Sequence, residues 1–525
     1  MIKSETGLLT AIISRCGGLI FAAFFFAGCS VSKSSVGPAK KYPLAKMQKD
    51  YSVFQHVLEE YHPGLYWYTS KDSMDYFFSR GYRQLKDSMT ESEFRKVLSL
   101  VVAGINCGHT SVRPSKKSPV ILDSFLARSF PLNLKIWDDT AVVVSNLIRK
   151  DSVLKRGAVI KKINGKPIDE IIDTLSKYIS SDGYNHTHKW QTLSGRGYFG
   201  SLYTSLFGIS EKYNVEYIDS SGQTRSGMIP FYKPVFDSAG RSALAAIIDG
   251  RVPGLSRKER KRLQLRGARS LRIDSVNHTT AFMNLNTFSR GSRIKNFLRT
   301  SFKSLSKNKV EDLVIDLRSN GGGIVTNSTT LSRYLVDRPF KVADSLYAIK
   351  KSGSYGRYIQ NNFFNRLFIG IMTRKKSDGL YHFGYFERHY FKPKKNNHFK
   401  GNVYIISGGN SFSATTLFIS SLKNQKNVTV VGEETGGGAY GNSAWLIPDV
   451  TLPETRVRFR LPLFRLVIDK NYPKDGRGIQ PDVSVGPIVE AIRRGRDNKM
   501  EKVIELIREI QNSKKNNKNQ NSRTK

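Results

Sequence analysis

Acidic residues are in short supply. The 525 residues include 43 Asp and Glu against 84 Lys and Arg, a formal net charge of +41. Nucleic acid, an anionic membrane or an acidic polymer could each exploit that surplus. The basic residues are spread through every region instead of forming one stripe, which speaks against a specific nucleic-acid reader. The densest clusters are 256–272 and the Lys/Asn-rich tail 513–525, which reads as disordered. Cysteine is scarcer still. Cys16 and Cys29 lie near the N-terminus, so Cys107 stands alone in the body of the chain and an intrachain disulfide framework there is excluded. Cys107 precedes His109 by two residues, but no cysteine-protease signature surrounds it, and it reads as a packed, inert thiol. No Cys/His spacing suggests a metal, and the Gly321-Gly322-Gly323 run has no Lys and Ser/Thr to complete a phosphate loop. No cofactor is expected.

Long apolar runs are also missing beyond the first 30 residues. Near the N-terminus, Lys3 and Arg15 precede CGGLIFAAFFF, which ends in Ala27-Gly28-Cys29. The run is too short to span a bilayer and ends in small residues, as signal peptides do. FAGC resembles a bacterial lipobox, with Phe26 in the usual leucine position, and implies lipidation at Cys29. Membrane attachment through that anchor, and a cell-envelope location, follow as expectations.

The length predicts two to four domains. Residues 1–29 read as the signal segment, and 30–118 as a tether and helical domain. In the latter, Leu44, Met47, Tyr51, Phe54, Leu58 and Tyr61 recur at helical spacing, and Thr90–Glu93 is a capping box. Residues 119–235 alternate as short strands, and GAVIKKINGKPIDEIIDTLSKYI resembles the second half of a PDZ domain. Residues 236–270 read as a basic linker. From 271 to 490, the apolar strands TTAFMNL, EDLVIDLR, GNVYIISGG and NVTVVGEET alternate with helices at 292–306, 326–336 and 413–424, which predicts an α/β layer with parallel pairing. An insertion at 350–400, rich in aromatic and basic residues, reads as a lid or extra rim. Residues 491–525 hold a last helix and the tail.

Two segments carry the chemistry. In SGGNSFSATTLF, a strand passes through a tight turn into a helix, with Ser413 at the junction. Backbone amides at a helix start are unpaired and favour negative charge, so a serine there can attack a carbonyl while amides hold the oxyanion. In DLVIDLRSNGGG, glycines let the backbone approach a substrate. The pair points to a serine hydrolase. Ser411 is an alternative nucleophile on composition, and His62, His109, His186 and His188 are candidates for a base.

The ordered set DLRSNGGG, NSFSATT, VVGEETGGG and GRGIQPDV resembles the tail-specific or C-terminal processing peptidases over about residues 40–490. The resemblance implies a crotonase-like α/β core of ββα units beside the helical and PDZ-like domains, and a polypeptide substrate. Family members with a serine–lysine dyad carry a lysine where Gly438 stands here. The branch resembling the tricorn core uses serine, histidine and an acid, and implies Ser413 as nucleophile, His109 as base and Asp475, in place of a glutamate, as the acid. The oxyanion hole would come from Ala414 with Gly321 or Gly322. A catalytically inactive peptide- or ligand-binding member of the same fold is the alternative.

Overall fold

The computed structural model describes residues 40–116, 129–151, 153–233, 255–276 and 278–523. The signal segment, Cys29 and most of the linker, 236–254, lie outside the described residues. Residues Lys41–Lys525 form one compact unit.

A six-stranded sheet organises the molecule. Its order is Arg269–Ile273, Thr280–Leu285, Asp312–Asp316, Asn402–Ser407, Val428–Gly432 and Val483–Ser484. The first pair is antiparallel and the remaining pairs are parallel. The four apolar segments expected as strands form the consecutive central ones. Their side chains alternate between two cores, as a strand period of two requires. Leu313, Ile315, Val403, Ile405 and Val430 face one core with Phe297, Phe302 and Phe418. Val314, Tyr404, Ile406 and Val431 face the other, which Val503 and Ile507 of the last helix close. Burial on both faces explains why these strands read as continuous apolar runs.

The helices at 44–104 do not close a core of their own. Phe54, Phe78, Phe94 and Leu98 pack with Leu346, Ile369, Phe459 and Phe464 in one shared cluster. The capping box forms as expected: Thr90 Oγ1 accepts from Glu93 N–H while Glu93 accepts from Thr90 N–H. A separate cluster fills residues 130–229, where antiparallel strands surround the helix Ile168–Ser176. The turn Asn164-Gly165 joins two of its strands with φ of 51° and 77°, the left-handed pair that a tight hairpin demands.

Two expectations are revised. The stretch 236–270 is not all irregular, because Arg257–Ala268 is a helix and Arg269–Ile273 is the edge strand of the central sheet. Ser256 and Glu259 form a second capping box there, a signal hidden by the basic composition. The tail is helical as far as Arg523, in the helix Asn498–Arg523, and Gln511 donates to Asp312 on the sheet at 3.0 Å.

Candidate active site

The strands Asp312–Asp316 and Asn402–Ser407 lie side by side and parallel, with Asp316 opposite Ile406. Their carboxyl ends therefore release the glycine turn and the Ser413 turn at the same place, where parallel sheets bind ligands. Asn320 joins the two turns. Its carbonyl accepts from Phe412 N–H at 3.1 Å, its Oδ1 from Gly322 N–H at 2.9 Å, and its Nδ2 donates to Leu285 O at 2.9 Å.

Ser413 caps the helix Ala414–Leu422 with φ 57° and ψ −122°, and its side chain makes no capping bond. A non-glycine residue held there stores on the order of 1–3 kcal/mol of backbone strain. The residue is only partly buried. Ser411 differs. It is fully buried; its Oγ donates to Leu317 O at 2.9 Å and accepts from Gly408 N–H at 3.2 Å. Its hydroxyl is spent on holding the turn.

The oxyanion donors separate in the same way. Ala414 N–H, at the first turn of the helix, and Gly321 N–H have no hydrogen-bond partner among the described residues. Gly322 N–H is already given to Asn320, so this residue serves by its shape. Its φ is +90°, and a Cβ there would meet Phe412 O at 2.6 Å, Ser413 Cβ at 2.8 Å and Ala414 N at 2.9 Å.

His109 lies buried against Phe412, with ring centroids 4.7 Å apart, and neither of its ring nitrogens has a hydrogen-bond partner among the described residues. Burial, with Arg460 and His188 nearby, lowers its pKa to about 3, so the imidazole is neutral. The carboxylate beside it is Asp182, whose Oδ1 is 3.9 Å from His109 Nδ1. Asp182 is itself buried and accepts from Gly108 N–H at 2.8 Å and Gly438 N–H at 3.3 Å. Burial raises its pKa to about 6, against the pull of those two amides and of Arg465.

Asp475 is not brought to the imidazole. It is exposed, and its Oδ1 accepts from Arg477 N–H at 2.9 Å, an Asx turn. The loop around it is nevertheless close to Asp182. Gly183 and Gly476 approach back to back, so that a Cβ on Gly183 would lie 2.3 Å from Gly476 O, and Tyr184 N–H donates to that same carbonyl at 2.9 Å. Buried Glu434 secures this seam. It accepts from Arg477, from Gly478 N–H at 2.6 Å and from Asn185 Nδ2 at 3.0 Å.

The other sequence candidates have structural partners. His62 Nδ1 accepts from Gly64 N–H at 3.1 Å, so its protonated Nε2 donates to Thr110 Oγ1 at 2.8 Å. His188 donates through Nδ1 to Gly409 O at 2.8 Å and stacks on Phe412, the ring that also meets His109, with centroids 4.8 Å apart. His186 rests against Trp190. Burial pushes the Cys107 thiol up to about 11, which removes it as a nucleophile. Lys423 is paired with Asp482, and Arg318 is clamped between Asp316 and Asp497. Asp182 had no local signal. It lies in the polar stretch Ser181–Asn185, and only tertiary folding brings it to His109.

No curated protein matches the chain. Residues 279–485 match the profile of peptidase family S41. Two solved structures share the overall fold. Mature CPAF in complex with lactacystin has a TM-score of 0.61 and 16% identity, covering 90% of this chain and 99% of that one. Mature CPAF alone has a TM-score of 0.59 and 16% identity, covering 90% and 98%. The matched segment, which holds the central parallel strands, the glycine turn and Ser413, is similar to the serine-type peptidases of family S41.

Proposed function

We propose that the chain is an endopeptidase that works through Ser413, His109 and an acid, and that the acid is Asp182. The observation that carries this reading is the junction itself: a strained, only partly buried serine at a helix start, beside two unpaired amides. In this scheme Ser413 Oγ attacks the peptide carbonyl. The neutral His109 takes the hydroxyl proton through Nε2 and returns it to the leaving amine. Asp182 then stabilises the imidazolium through Nδ1, for which the 3.9 Å gap must close by about 1 Å to reach ordinary hydrogen-bond length. Such tightening on substrate binding is common in hydrolases whose free sites are loosely aligned. Ala414 N–H and Gly321 N–H would receive the oxyanion, each worth roughly 2.7–4 kcal/mol in the transition state.

Gly438, where a dyad lysine would stand, instead donates its amide to Asp182, which favours histidine over lysine as the base. The antiparallel sheet over 132–230 supports a PDZ-like domain, and the strand–helix alternation of the core supports a crotonase-like arrangement. The envelope location and the lipid anchor at Cys29 rest on the N-terminal sequence. The test is hydrolysis of unfolded casein and of quenched fluorescent peptides by wild type and Ser413→Ala. Turnover should vanish in the variant while its circular dichroism is unchanged. Wild-type turnover in Ser413→Ala would reject the nucleophile.

A further inference from the structure

The helix Asn362–Met372, inside the 350–400 insertion, is apolar on two sides. Phe368, Ile369 and Met372 turn inward, with Phe368 packing on Phe383 and Phe464. Asn365, on that same side, donates to Gln360 O at 2.9 Å. The opposite side carries Phe363, Phe364, Leu367 and Ile371, which are 72%, 56%, 48% and 59% exposed. At about 100° per residue these four fall within an arc of roughly 100°, a continuous stripe. Four large apolar side chains exposed in one stripe, with Arg366 at its flank, leave this face short of a covering partner among the described residues.

The surroundings state the partner's charge. Residues 350–400 hold twelve Lys and Arg against two Asp and Glu, a charge density well above the chain average. At the helix end, Ile371 borders a cavity of about 230 Å³ whose wall includes Arg374, Lys376, Arg388 and Tyr385. Arg374 caps the helix by donating to Thr373 O at 3.0 Å, and Lys376 pairs with Glu387 at 2.9 Å. An apolar stripe beside a cationic pocket, with exposed Tyr385 and Tyr390 nearby, is the pattern of a helix lying in a bilayer interface. No helix of the described residues is long and apolar enough to cross a membrane, so contact would be parallel to the surface. A second copy of this chain would have to bring an equally basic face against this one.

We propose that the helix Asn362–Met372 docks the protein on membranes containing anionic phospholipid. The stripe enters the acyl boundary, and Arg374 and Arg388 receive phosphate headgroups. This docking is independent of any anchor at Cys29 and sets how the body of the protein meets the surface.

The test follows amide exchange across 362–372 in the full chain, alone and with vesicles. The vesicles are phosphatidylcholine, with or without about one-third phosphatidylserine. Exchange should slow only with the anionic vesicles, and high salt should reverse the effect. The variant F363S/F364S/L367S/I371S should lose that protection, and its partitioning should fall at least 30-fold below wild type. Arg374→Glu with Arg388→Glu should cost about five-fold or more per cation. Both variants should keep wild-type peptidase turnover in vesicle-free solution. The proposal is overturned if anionic vesicles leave 362–372 unprotected, or if neutral vesicles protect it equally. It is also overturned if protection appears with protein concentration alone, which would mean a second copy, or with unfolded casein alone, which would mean a substrate exosite.

Discussion

Replacing Asp182 by Asn separates the two acids most sharply. Asp182 has three neighbours to serve: His109 Nδ1 at 3.9 Å, Gly108 N–H at 2.8 Å and Gly438 N–H at 3.3 Å. All three can be donors. Asparagine keeps one accepting oxygen and presents an NH₂ where the second was, so at least one buried amide faces another donor. That should cost about 1–3 kcal/mol of stability. The kinetic effect should be larger. Without a carboxylate, the imidazolium formed at His109 is uncompensated in a buried site, and comparable substitutions of a triad acid lower kcat by about 10,000-fold. KM should change little, because Asp182 lies behind the imidazole. A pH signature accompanies this. The folded-state pKa of Asp182 is raised to about 6 from an ordinary 3.8. Its contribution to stability is therefore present below pH 3.8 and lost as pH rises through 6; Asp182→Asn should remove that slope. The assay is kcat and KM on a quenched fluorescent peptide, with urea unfolding at pH 4 and pH 7. Asp475→Asn belongs beside it and should stay within about three-fold of wild type, since asparagine also closes an Asx turn. Retention of activity in Asp182→Asn together with a collapse in Asp475→Asn would refute this assignment and restore the acid expected from the sequence.

Ser411→Ala should keep kcat within a few-fold yet lose about 1–3 kcal/mol in urea unfolding, because two buried hydrogen bonds end on its hydroxyl; a dead but folded Ser411→Ala would reverse the roles of the two serines. Gly322→Ala should abolish turnover and lower stability by at least about 3 kcal/mol, since the methyl group would lie under 3 Å from Phe412 O, Ser413 Cβ and Ala414 N at a φ of +90°; a stable, active variant would contradict the packing of the two turns. His62 and His109 are both held neutral, each with its pKa lowered from 6.5 to about 3 by burial. Their contribution to stability is complete above pH 6.5 and lost as pH falls toward 3, against the opposing slopes of Asp182 and Asp50, two carboxylates whose pKa burial raises. Thermal midpoints should therefore drop steadily below pH 6.5, and a flat profile from pH 7 to 4 would contradict their burial as neutral groups.

The core was legible because its strands obey simple rules. Segments such as Leu313–Ile315 and Val403–Ile406 are buried on both faces, so hydrophobicity alone marks them, and the turns that follow carry glycine and serine at their carboxyl ends. The Thr90–Glu93 capping box and the Asn164-Gly165 hairpin were equally local signals. What escaped the sequence is what long-range contact decides. Asp182 is an undistinguished polar residue until Gly183 and Gly476 pack back to back. The accepting oxygen of Asn320 takes the amide of Gly322, which no reading of the glycine run reveals. The N-terminal helices share one core with strands more than 300 residues later, so sequence order alone suggested a separate body for them.

The most direct measurement of the central claim is labelling with a serine-reactive fluorophosphonate, followed by mass-spectrometric mapping of the modified residue. The account predicts a single modified serine, Ser413, with labelling that is lost in His109→Ala and slowed sharply in Asp182→Asn. Modification at Ser411, or efficient peptide hydrolysis by a protein that takes up no label, would contradict it.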